Sequence, residues 1–108
     1  MSRVLYSNKI TPQDLEDIVV TAFEGGINYW ATSPDAHLAQ DKEGYVLPCT
    51  ITEFEGGSHT LTYSKVKAGV AKAADFQGLA MWNFLENHDA EDADLVIQFA
   101  LFGEAKYS

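Results

Sequence analysis

Cysteine is almost missing from this sequence. Cys49 is the single one in 108 residues, which excludes an internal disulfide and any multi-thiolate zinc site and fits a reducing compartment. Basic residues are scarce too. Seven Lys+Arg stand against 16 Asp+Glu, a formal net charge of −9. A polyanion is bound through clustered Lys and Arg, so nucleic acid is not expected as a direct partner. No apolar run approaches the roughly 20 residues that span a bilayer, and no signal-peptide pattern opens the sequence. No membrane contact and a cytoplasmic location are the expectation.

Motifs that carry chemistry are lacking as well. There is no Gly-rich phosphate loop, no nucleophile elbow and no pair of His at i, i+4. Residues 87–94 (NHDAEDAD) come nearest to a calcium loop, but lack its turn glycine and its closing bidentate Glu. His37, His59 and His88 lie far apart and read as isolated surface residues. Cys49 on a strand reads as a small buried hydrophobe; it becomes a nucleophile only if a hairpin brings His59 to it. No metal, no cofactor and no catalytic residue is therefore expected, and the protein reads as a non-enzyme.

What is present describes a globular chain. Apolar residues make up 46% and charged residues 21%, and the length suits one domain over residues 1–108. Residues 11–26 carry a helix: Thr11 caps it, Pro12 takes the first position, and Asp14, Glu16 and Asp17 place negative charge near its start. Leu15, Ile18, Val19, Ala22 and Phe23 form its apolar stripe, and Gly25 and Gly26 end it. Residues 27–31 fit either a strand or a continued helix, residues 4–6 a short strand, and residues 33–44 an exposed loop. Alternation over residues 45–53 and 59–63 around a Gly56-Gly57 turn predicts a hairpin, with Pro48 pointing to an edge strand. Ser64 is expected to cap a second helix through about residue 74. Residues 79–85 suit a helical turn or buried loop, and residues 105–107 a final strand. The last helix, about 90–102, is capped by Asp89 or Asp92 and apolar on nearly every side, so it should be central. The sum is an α+β fold, with a small antiparallel sheet of about three strands packed against about three helices.

Three features suggest a binding surface. Glu24, Asn28, Tyr29 and Trp30 flank a double glycine that allows close approach of backbone, and adjacent Tyr and Trp cannot both point inward. Gln98, in the middle of the most apolar helix, needs hydrogen-bond partners: a neighbouring loop, the segment near Gly25, or a ligand in a pocket. Glu91, Asp92 and Asp94 are read as an acidic solvent face.

The two terminal blocks together resemble a family of small bacteriophage and prophage proteins with EGGxxYW-like and ADxIIQxALFGE-like segments. The matching positions are Glu24, Gly25, Gly26, Tyr29 and Trp30, then Ala93, Asp94, Val96, Ile97, Gln98, Ala100, Leu101, Phe102, Gly103 and Glu104. The resemblance implies a phage or prophage source rather than a reaction. With that source, the expectation is an acidic binding protein, anti-defence or anti-CRISPR-like, that inhibits a host or bacterial defence protein inside the bacterial cell. An exposed aromatic edge would equally suit pairing of two copies as a homodimer. The alternatives are a domain that sequesters a nucleotide-like signal, and a mimic of nucleic acid.

Overall fold

Thr11 starts the first helix, α1 (Pro12–Thr21), in the computed structural model, which describes residues 10–33 and 46–107. The Thr11 hydroxyl accepts from the Asp14 amide at 3.2 Å and Asp14 returns a bond to the Thr11 amide at 3.0 Å, a reciprocal capping box. The whole predicted stripe, Leu15 to Phe23, is buried. The helix does not stop at Thr21. It widens into one π-helical turn (Ala22–Gly26), closed by the Ile27 amide donating to the Ala22 carbonyl at 3.0 Å. Asn28 donates through Nδ2 to the Phe23 carbonyl, a group the wider turn leaves open. Residues 27–30 are a tight turn, so neither reading offered for this segment holds for most of it. Strand β1 is only Ala31–Thr32.

Strands β2 (Cys49–Glu53) and β3 (Ser58–Leu61) form the predicted hairpin, joined through Gly56 and Gly57 at φ of 110° and 102°. Only glycine adopts such angles without strain, which is why two stand here. The sheet is antiparallel in the order β1-β2-β3, with Ala31 opposite Glu53 and Cys49 opposite Leu61. Strand β2 is therefore central, not an edge as Pro48 suggested. Pro48 precedes the first strand residue, where its missing N–H interrupts no ladder bond.

Helix α2 (Tyr63–Phe76) is capped by Thr62, whose hydroxyl accepts from the Lys65 amide, rather than by Ser64. Residues 79–85 contribute to a full helix, α3 (Met81–Asn87), which buries Phe84 and Leu85. Helix α4 (Ala90–Phe102) uses Asp89 and Asp92 together in a second capping box and ends at Gly103. Among the described residues, that makes four α-helices and one three-stranded sheet.

The core lies where α2 meets α4, with α1, the π turn and β3 also packed against α4. Val66, Val70, Ala73 and Ala74 oppose Ala93, Val96 and Ile97, with Ile51 and Leu61 behind them. Two glycines set the spacing. A Cβ on Gly69 would stand 2.4 Å from the Val96 carbonyl oxygen, and one on Gly26 would stand 2.8 Å from that of Ala90. The double glycine thus serves helix packing at Gly26, while Gly25 faces open space. The residues expected to close the chain as a strand, 105–107, form no ladder. The expected strand at 4–6, most of the loop at 33–44, and His37 lie outside the described residues.

Candidate functional site

Tyr29 and Trp30 leave the turn with unequal burial. Trp30 is 2% exposed and Tyr29 50%. Both reach the same group on α4, the Asp94 carboxylate: Trp30 Nε1 donates to Oδ1 at 2.8 Å and the Tyr29 hydroxyl to Oδ2 at 2.6 Å. Asp94 is 9% exposed, so it is no part of a solvent face. A carboxylate so placed needs donors on both oxygens, and the aromatic pair provides them. Partial burial, reinforced by the Asp94 hydrogen bond and charge, pushes the Tyr29 hydroxyl up to about 12. At neutral pH it is a fixed donor, unable to act as a base.

Gln98, one turn beyond Asp94, is 1% exposed and fully partnered. Its Nε2 donates to Asp94 Oδ1 at 3.0 Å and to the Tyr107 carbonyl at 3.2 Å, and its Oε1 accepts the Tyr107 amide at 2.7 Å. The amide takes the place of the strand neighbour that residue 107 lacks.

Between the π turn, the start of α4 and Tyr107 lies an open groove of about 600 Å³. Gly25, Tyr29, Gln77, Glu91, Asp92 and Gln98 are among its walls, and no Lys or Arg lines it among the described residues. Asp92 is held by Gln77 Nε2 at 2.7 Å, and Glu91 is exposed. The sequence-predicted residues therefore divide. Tyr29, Gln98, Glu91, Asp92 and Asp94 meet at the groove; Trp30 lies behind it, and Glu24 and Asn28 are exposed outside it.

A second cluster escaped the sequence reading. Glu53 on β2 accepts from Lys106 Nζ at 2.7 Å, from His59 Nε2 at 2.6 Å and from the Tyr107 hydroxyl. These donors, Lys106 foremost, then Tyr107 and His59, hold the Glu53 carboxyl down at about 2. Glu53 shares strand parity with Cys49 and Ile51, so an acidic residue in an inward register was the available signal. Glu16 offers a parallel case. It was read only as negative charge near the helix start, yet it is wholly buried and accepts from the Val46 and Leu47 amides and from the Tyr63 hydroxyl. Its place three and seven residues before Val19 and Phe23 puts it on the buried side of α1.

Cys49 does not join His59 in a catalytic pair. Burial, reinforced by the charge of Glu16, raises the thiol to about 11, and His59 Nε2 is engaged by Glu53. Nor is His88 an idle surface residue, since Nδ1 donates to the Leu85 carbonyl and Nε2 meets the Thr21 hydroxyl at 3.1 Å, tying the end of α3 to α1. No group of three or more His, Cys, Asp or Glu converges as a metal site among the described residues, and no helix there is long and apolar enough to cross a membrane. Compared with protein-family models, curated proteins and solved structures, the chain matches none.

Proposed function

We propose that this chain is a small acidic binding protein of phage type that inhibits a bacterial host or defence protein by docking against a basic patch on it. The observation that carries the reading is Tyr29: a large ring, half exposed, held in place by Asp94 at the rim of a groove walled by carboxylates. An oriented aromatic is a suitable anchor, because little side-chain freedom remains to be lost on binding. The net charge of −9 adds long-range attraction toward a cationic surface, which mainly speeds encounter and selects partners.

The same chemistry argues against the nucleotide-sequestering alternative. Phosphates seek cations or free amides, and the described groove offers Glu91, Asp92 and Asp94 instead.

The test is phage plating on bacterial hosts that carry defined defence systems, with and without the protein. Wild-type protein is expected to raise plating at least tenfold in one such host. The Tyr29→Ala/Glu91→Lys variant, folded by circular dichroism, should not. A wild-type protein that alters plating in no host and retains no basic partner at low salt overturns the reading.

A further inference from the structure

We propose that Trp30, Gln98 and Glu53 form a peptide-recognition niche for an extended lysine–tyrosine segment, filled here by the chain's own Lys106 and Tyr107 and open to displacement by a partner segment of the same chemistry.

The contacts of residues 106 and 107 have the pattern of a bound peptide. Over residues 104–107 the chain is neither helix nor strand, and the hydrogen bonds described for Lys106 and Tyr107 run to side chains of the body. Gln98 takes both the amide and the carbonyl of Tyr107, which reads backbone without regard to sequence. The Tyr107 ring stacks on Trp30 with centroids 4.8 Å apart and planes 10° apart, which reads an aromatic side chain. Glu53 accepts the Tyr107 hydroxyl and the Lys106 ammonium, which reads a hydroxyl and a cation. The ammonium also lies 4.8 Å from the centre of the Phe102 ring.

The receiving groups are held by atoms other than those of the occupant. Trp30 Nε1 and Gln98 Nε2 are both fixed on Asp94 Oδ1, and Glu53 Oε2 is fixed by His59. The niche therefore keeps its shape as residue 107 leaves. Its vacancy would leave one nearly buried Glu53 oxygen without the cation and hydroxyl that satisfy it, so the chemistry of the replacement is specified. An incoming peptide competes with a tethered one at millimolar effective concentration, so in the intact chain it binds with its affinity reduced by the closed fraction. No contact of the niche requires the exposed face of Tyr29, and its failure would leave the docking reading above intact.

The probe is a fluorescently labelled Glu-Ala-Lys-Tyr-Ser peptide, the sequence of residues 104–108, read by anisotropy. The Lys106→Ala/Tyr107→Ala variant, folded by circular dichroism, is expected to bind it at least tenfold more tightly than the wild-type chain. Peptides with Lys changed to Glu or Tyr changed to Ala should lose that binding. Equal binding of the probe by variant and wild type, or equal binding of the control peptides, overturns the proposal. A second measurement needs no variant: hydrogen exchange at the Tyr107 amide of the wild-type chain, with and without the unlabelled peptide at millimolar concentration. Loss of protection at that amide supports displacement; unchanged protection overturns it.

Discussion

Replacing Gly69 by alanine sets two effects of opposite sign against each other. In an exposed helix interior the change stabilises by about 1 kcal/mol, because alanine restricts the unfolded chain and suits the helix better. Here the new Cβ would stand 2.4 Å from the Val96 carbonyl oxygen and 3.1 Å from the Ala100 backbone N and Cβ. A carbon–oxygen contact is comfortable at about 3.3 Å or more, so α4 would have to retreat by about 0.9 Å. The obstructing atom is the backbone of a helix packed against α1, α2, the π turn and the sheet, and cannot swing aside as a side chain would. Overpacking of this kind costs about 1–3 kcal/mol, and the rigid partner places it at the upper end. The net expectation is a loss of about 2 kcal/mol, which for a domain of this size lowers the melting temperature by roughly 8–16 °C. Urea denaturation should show a lower midpoint with an unchanged slope. Gly25→Ala is the control, since a Cβ there meets nothing within 4 Å. A Gly69→Ala protein that melts at or above the wild-type temperature would refute the close approach of α2 and α4.

Three further outcomes follow from the buried polar groups. Asp94→Asn keeps the shape but turns an NH2 toward a donor, losing at least one charge-assisted bond; a loss of about 1.5–3 kcal/mol in denaturant titration is expected, and a neutral result would dismiss Asp94 as a hub. Cys49, raised from 9.0 to about 11, carries about a hundredfold less thiolate than an unperturbed thiol at pH 8; native alkylation by iodoacetamide should be slower than alkylation in denaturant by about that factor, and equal rates would contradict it. Glu53 titrates near 4.5 in the unfolded chain and about 2 in the folded one, so the unfolded state takes its proton first as acid is added. Its stabilisation is complete above pH 4.5 and drains away between pH 4.5 and 2; Glu53→Gln should flatten the fall in melting temperature across that window, and an unchanged slope would sink the assignment.

Periodicity made the frame legible. The stripe from Leu15 to Phe23, the Gly56-Gly57 hairpin and the helix over 90–102 could be read because each obeys a local rule of spacing, capping or turn chemistry. The polar interior could not. The burial of Glu16, Glu53 and Asp94 was not legible because the Val46, Lys106 and Trp30 donors that satisfy them stand 30, 53 and 64 positions away, and no local pattern records that. Gln98 was conspicuous by contrast with its apolar neighbours, but its partner Tyr107 was taken for a strand residue. A side-chain amide standing in for a strand neighbour leaves no trace in sequence. The site was half visible for the same reason: the rule that adjacent rings diverge was local, and the carboxylate that joins them was not.

A π turn carries one residue more than the α-helical turn it replaces, and each residue along a helix is worth about 100° of rotation. The direction in which the chain leaves the helix at Ile27 is thus set by a residue count between Ala22 and Gly26. Deleting any single residue there would reset the phase of everything after it, so this short arc should tolerate substitution at Gly25 far better than a change in its length.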